Sequence, residues 1–299
     1  MLRSLKTVAR SALPSWQRGK FIARRATARL RVLPNLYLIG AGKCATTSLA
    51  ASIVAHPDVL AGLKKEPHYF NLNRGTGQEL WYRSHFPLSA TVALRRRLRS
   101  REPVIGDYTP SSYYCPHAAE QISSLGGQPK IIISLRNPVD RAHSMYRHWY
   151  KMGSTDLSFE QAIERERELV GAEYEKMVRD PSYQSRVFFN NAFLERGKYI
   201  EFIPRWVDTF GRESILFLRF EDLVGETDTT FRRVCRFLEI EELSLPHYPR
   251  EDPSAWSESL DVQRTPLQLC QSTRERLLQY FAPYNERLGE YLGWELGWD

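Results

Sequence analysis

Residues Leu36–Ser48, LYLIGAGKCATTS, decide how the rest of the chain is read. Leu36-Tyr37-Leu38-Ile39 is a short, bounded apolar run, the pattern of a buried strand. It feeds Gly40, Ala41 and Gly42, then Lys43, Cys44 and Ala45, then Thr46, Thr47 and Ser48. Glycines let a backbone come close to an anion, and open N–H groups at a helix start point toward it. Lys43 adds a mobile positive charge. The three hydroxyls fall in the first turn of a helix whose apolar side is Leu49, Ala50, Ile53 and Val54. The stretch is predicted as strand, anion loop and helix; taken alone it reads equally as a plain turn with a solvated lysine.

The spacing is not that of a nucleoside-triphosphate loop. Such a loop has a glycine five positions before its Gly-Lys pair, and Ser or Thr directly after the lysine for magnesium. Those positions are Tyr37 and Cys44 here. A phosphate-like group handled without a metal fits the pattern better.

A second strand-to-helix junction lies at Lys130–Pro138, KIIISLRNP. Continuous branched apolar residues predict a strand buried on both faces, as in a parallel sheet. Asn137 before Pro138 predicts a helix N-cap with proline at the first position. On that helix Arg141, Ser144 and His148 share one face. Arg136 and Ser144 are candidates for a second anion site, against the alternative that Arg136 pairs with Asp140.

Between these junctions, Lys64-Lys65-Glu66-Pro67-His68 holds Glu66 extended before a proline, and residues two apart in an extended chain share a side. Glu66 and His68 are thus a candidate proton-handling pair, with a surface ion pair to Lys64 or Lys65 as the competing reading. Gln78–Pro87 is aromatic-rich and reads as core or cleft rim. Arg95, Arg96, Arg97, Arg99 and Arg101 form a solvated helix face, and Val104–Tyr108 reads as a strand. Ser158–Val178 is expected as a charged, solvent-facing helix, and Arg186–Phe210 as helix broken at Gly197 and Pro204. Ser214–Phe220 is a further strand, with a helix after it that buries Phe231, Val234, Phe237 and Leu238. His247–Pro266 is expected as a loop, and Leu267–Leu292 as helix broken at Pro283.

At 299 residues the chain suits one large domain or two small ones. No apolar run approaches the ~18 residues of a membrane span, so the chain reads as soluble. Cys44, Cys115, Cys235 and Cys270 lie far apart, without metal-ligand spacing, and a reducing, cytoplasmic setting is expected. The net charge of +7 is uneven: nine Lys or Arg fall between Arg3 and Arg31, and no acidic residue precedes Asp58. Residues 1–33 are read as a basic extension, flexible or in peripheral contact with an anionic membrane, rather than a nucleic-acid module. Residues 34–299 are read as one domain.

Taken together, GAGKCATTSL, KEPHYF, IIISLRNPVDRAHSMYRHW and ILFLRFEDL resemble the sulfotransferase superfamily that uses 3′-phosphoadenosine 5′-phosphosulfate, especially its carbohydrate, heparan sulfate-type branch and bacterial relatives. The resemblance spans about Leu36 to Leu238. It implies an α/β fold, a parallel β-sheet flanked by helices in the P-loop-NTPase-like manner. It implies that Gly40–Ser48 holds the 5′-phosphosulfate and that Arg136 and Ser144 grip the 3′-phosphate. Lys43 would neutralise charge on the bridging oxygen and Glu66 would take the proton of a carbohydrate, glycolipid or small-molecule acceptor, with His68 second choice for that role. The chain departs from the heparan pattern where Asp107 or Tyr108 stands in place of a lysine. It departs again in His247–Pro266, where only Arg264 offers a cofactor contact. Two rivals stand beside this reading: a nucleotide-dependent kinase with a degenerate loop, and a non-enzymatic protein that binds polyanions or membrane surfaces.

Overall fold

Four short strands, β1 (Leu36–Gly40), β2 (Gly106–Asp107), β3 (Lys130–Leu135) and β4 (Ile215–Arg219), form one parallel sheet in the order β2-β1-β3-β4. The computed structural model describes residues 23–72, 78–244 and 268–298. The helices, in chain order, are α1 (Thr46–Ala55), α2 (Tyr69–Leu72), α3 (Glu79–Arg83), α4 (Ser89–Arg99), α5 (Ala118–Ser123) and α6 (Pro138–Lys151). They continue with α7 (Phe159–Arg179), α8 (Arg186–Asn191), α9 (Ile203–Phe210), α10 (Phe220–Gly225), α11 (Thr227–Leu238) and α12 (Gln271–Leu292). Among the described residues no helix is long and apolar enough to cross a membrane.

The strands read as continuous apolar runs because both faces of the sheet are covered. Side chains alternate between the faces. Tyr37, Ile39, Ile131, Ile133, Ile215 and Phe217 join one core, with Ile122 of α5, Trp206 of α9 and Leu288 of α12. Leu36, Leu38, Ile132, Leu216 and Leu218 join the other, closed by Leu49 and Ile53 of α1 and by Phe231, Val234 and Leu238 of α11. A third cluster knits α6, α7 and α12 through Val139, Tyr146, Phe159, Ile163 and Phe281.

Several expectations are corrected. The strand expected over Val104–Tyr108 shrinks to two paired residues at the sheet edge; Val104 makes only an isolated bridge to Val59. α7 is not wholly solvent-facing: after a Ser158–Gln161 capping box it buries Phe159, Ile163, Val170 and, in the middle of its charge run, Glu166. That carboxylate accepts from the main-chain N–H groups of Phe193, Leu194 and Glu195, which is why burial tolerates it. Burial still pushes its pKa up to about 7. Pro204 does not interrupt a helix but sits in the first turn of α9, where its missing N–H costs nothing. Pro283 does not break α12, which is anchored on both sides of it by buried Leu277, Phe281, Leu288 and Leu292. Asp140 pairs with Arg274 at 2.7 Å rather than with Arg136. His247–Pro266, including Arg264, lies outside the described residues, as do residues 1–22 of the basic head. From Ala23 onward that head is docked: Arg24 donates to the carbonyl of Ser84, and Arg31 to that of Phe86.

Candidate active site

The chain turns outward from β1 to β2, then returns across β1 to β3, so the strand order reverses between β1 and β3. Crevices at the carboxyl ends of strands at such a reversal are where open α/β sheets bind ligands. The loop leaving β1 and the residue leaving β3 both emerge there. A cleft of about 760 Å³ opens at this point.

One wall is the loop itself. Gly42, Lys43, Ala45, Thr46, Thr47 and Ser48 line the cleft. Lys43 (φ 74°) and Ala45 (φ 59°) are left-handed, a backbone form that gathers N–H groups into an anion-holding concavity. α1 starts at Thr46 with no side-chain cap, leaving the positive end of the helix to the cleft. Gly40 and Ala41 lie behind this wall, in the core. A Cβ on Gly40 would come within 2.7 Å of the Tyr113 ring, so the strand can end there only as glycine. The Ala41 N–H is fixed by Ser134 O of the adjacent strand. Cys44 is fully buried, its thiol pushed up to about 12 by burial, and its carbonyl accepts from Ser134 Oγ at 2.6 Å. Its side chain therefore serves the core and not the cleft.

Arg136, one residue past β3, is half-buried and stacks its guanidinium on the Phe220 ring at 4.2 Å, and Phe220 lines the cleft. Its Nη1 donates to Lys43 O at 3.4 Å. The Asn137 cap forms as expected, accepting from Val139 N. Ser144, on α6, is half-buried and stands outside the cleft lining, while His148 and Trp149, one turn on, line it. Burial, then the neighbouring Lys43, holds the His148 pKa below the usual histidine range.

Glu66 and His68 face the loop across the cleft. His68 Nε2 lies 3.5 Å from Glu66 Oε2, while Lys65 Nζ holds Oε1 at 2.9 Å and Thr47 Oγ1 at 2.6 Å. The pairing expected from an extended segment is present, but by another backbone route, because His68 is left-handed at φ 56°. The competing Lys65–Glu66 ion pair is present too, and through Thr47 it ties the carboxylate to the loop wall. The other ring nitrogen, His68 Nδ1, is 3.3 Å from Asn71 Nδ2, which donates to Ser111 Oγ at 2.7 Å. Burial lowers the His68 pKa, with Glu66 opposing.

Asp107 and Tyr108 do not face the cleft. Asp107 is buried, bonded to Tyr82 and Thr109, and pushed up to about 6 by burial; Tyr108 packs in the core beneath α1 and α11. From that segment only Pro110, Ser111 and Tyr114 reach the cleft. The aromatic segment Gln78–Pro87 is core as well, with Tyr82 and Phe86 fully buried.

A family model described as a sulfotransferase domain matches residues 33–248. The chain belongs to the sulfotransferase domain family. Among solved structures, a sulfotransferase from Alicyclobacillus acidocaldarius superposes with a TM-score of 0.61 at 26% identity, covering 89% of this chain and 99% of that one. Mouse carbohydrate sulfotransferase 15 is 26% identical over 88% of this sulfotransferase and 54% of its own length. Mouse heparan sulfate glucosamine 3-O-sulfotransferase 3B1 is 25% identical over 89% and 65%. The chain spans about half the length of the first of these curated relatives.

Family membership displaces the kinase reading. The polyanion-binding alternative drew on the basic head, whose residues 1–22 lie outside the described residues, and on the arginine run, much of which pairs within the fold. Arg95 donates to Pro57 O, Arg96 pairs with Glu102, and Arg99 pairs with Asp58 and Glu241; none of them lines the cleft of this sulfotransferase. Of the residues singled out in the sequence, Lys43, Glu66 and His68 line the cleft together, whereas Arg136 stands beside it on the cleft-lining Phe220 and Ser144 lies outside the lining. Sequence reasoning passed over Trp149, Phe189, Arg196 and Val224 as lining residues, and left His148 on a helix face without a role. His148 was within reach of pattern reasoning, since it follows Ser144 by one helical turn.

Proposed function

We propose that this sulfotransferase moves a sulfuryl group from 3′-phosphoadenosine 5′-phosphosulfate to a hydroxyl of a carbohydrate or glycolipid acceptor, with an amine as the less favoured target. The observation that carries the reading is that Lys43 and Glu66 line one cleft at the strand-order reversal, with Arg136 beside it, stacked on the cleft-lining Phe220 and bonded to the Lys43 carbonyl. A cationic group lining the cleft and a second beside it suit a ligand with phosphate at both ends, and the uncapped start of α1 suits the anion nearest the loop.

When bound, the donor supplies an electrophilic sulfuryl group on a phosphate leaving group. Lys43 holds positive charge where negative charge develops on departure, and the N–H groups at the α1 start add fixed dipoles at the same wall. Arg136 grips the distant phosphate, its plane held by Phe220. Ser144, on α6 beyond the cleft lining, assists Arg136. Glu66 takes the proton of the acceptor hydroxyl. Lys65 and His68 each hold one of its oxygens, so the carboxylate is aimed before an acceptor arrives.

The test is transfer of radiolabel from the sulfur-labelled donor to a panel of glycans, glycolipids and phenols. Label on at least one hydroxyl acceptor is expected. A protein whose melting temperature is raised by 3′-phosphoadenosine 5′-phosphate but which labels only amines would reverse the preference for oxygen. A protein that the nucleotide does not stabilise at all would remove the donor assignment.

A further inference from the structure

The far wall of the cleft continues into a second cavity. Trp149, near the end of α6, lines the cleft beside His148 and also lines a neighbouring hollow of about 180 Å³. α8 repeats the arrangement: Phe189 lines the cleft, while Asn190 and Asn191 line the hollow. The two aromatic rings pack edge to face at 5.9 Å, so they form one partition with a face on each side. At ~30 Å³ per water, the hollow has room for a single ring-sized group.

Its chemistry differs from that of the cleft. Beyond Trp149 the walls carry Ser154, Asp156, Arg165 and Asn190. Asp156 and Arg165 are exposed and form no ion pair among the described residues, and the buried Trp149 indole N–H has no acceptor. A carboxylate, a guanidinium, an amide and a hydroxyl line the same hollow as the indole. Acceptors and donors are then presented together, next to a flat apolar surface, which is what a ring with hydroxyls at its edge and C–H groups on its faces requires. An apolar ligand would leave these polar groups unpaired, at a cost.

We propose that this hollow is a subsite for the neighbouring ring of a polyhydroxylated acceptor, with Trp149 as the wall shared between that ring and the one being sulfated. This rests on the sulfotransferase reading above and deepens it: the acceptor is a glycan of at least two rings, recognised away from the reacting hydroxyl.

The test compares desulfated heparan sulfate fragments of one, two and four rings as acceptors. KM is expected to fall about tenfold from one ring to two, with kcat little changed, and to stay flat from two to four. Asn190 and Arg165 are exposed, so substitution at either spares the fold. Asn190→Ala and Arg165→Ala are each expected to raise KM for the two-ring fragment toward the one-ring value and to leave the one-ring value unmoved. Equal KM along the series, or equal effects of the substitutions on both lengths, overturns the subsite. So does failure of every fragment to be sulfated while 3′-phosphoadenosine 5′-phosphate still raises the melting temperature. Loss of that thermal shift as well marks failure of the donor reading, and the subsite falls with it.

Discussion

Arg136 Nη1 donates to the main-chain carbonyl of Lys43 at 3.4 Å, across 93 residues of chain. The contact joins the ends of β1 and β3, so the loop that would hold one anion is braced by the side chain that would hold the other. The acceptor is main chain, so the brace depends on the Arg136 side chain and not on that of Lys43.

Replacing Lys43 separates charge from backbone. Its φ of 74° is one that glycine adopts without strain, so Lys43→Gly removes the ammonium and keeps the loop. Transfer is expected to fall by about 10²–10³ in kcat, the usual loss on removing one preorganised electrostatic group. The melting temperature should be nearly unchanged. A variant that retains wild-type turnover would exclude the proposed role.

Proton removal at Glu66 depends on His68 being neutral. Burial lowers the His68 pKa, so the ring is fully deprotonated at lower pH than an ordinary histidine near 6.5. The acid limb of kcat/KM is therefore expected below about pH 6.5, rising with pH as His68 loses its proton. In His68→Asn the limb should change position, while nucleotide binding is retained. A limb at or above the ordinary histidine range would contradict the arrangement.

Glu166 controls stability rather than turnover. Its pKa is raised to about 7, so between the ordinary carboxylate range and pH 7 the folded protein binds more protons than the unfolded one. The contribution is complete below the unfolded pKa and is lost as pH rises through about 7. Glu166→Gln should flatten this part of the pH dependence of the melting temperature. Glu166→Ala strands the N–H groups of Phe193, Leu194 and Glu195 and should cost roughly 2–4 kcal/mol. A wild-type melting temperature that climbs from pH 5 to 7 in proportion to Glu166 ionisation would reverse the sign.

The parts of this fold that were legible in sequence are those decided by local rules. β1, β3 and β4 are unbroken apolar runs because the sheet is covered on both faces, and Asn137-Pro138 marks a helix start by its own chemistry. What escaped is decided by contacts distant in the chain. Helical spacing from Phe159, Ile163 and Val170 puts Glu166, unlike Glu164 or Glu168, on the apolar face of α7, but its partners, the N–H groups of Phe193–Glu195, are distant in the chain. Pro283 obeys its neighbours' packing rather than its own preference. Trp149 and Phe189 sit at spacings that a core helix also produces, so their place in the cleft could be seen only after α6 and α8 were brought together.

The central claim is that one crevice clasps both phosphate-bearing ends of the donor. Calorimetric titration of 3′-phosphoadenosine 5′-phosphate against adenosine 5′-phosphate, with wild type and Arg136→Ala, tests it most directly. The bisphosphate is expected to bind wild type at least ~10-fold more tightly, one charge-assisted hydrogen-bonded contact being worth about 1.5–3 kcal/mol, and Arg136→Ala is expected to erase most of that difference. Equal affinity for the two nucleotides in wild type, or an Arg136→Ala loss shared equally by both, would contradict it.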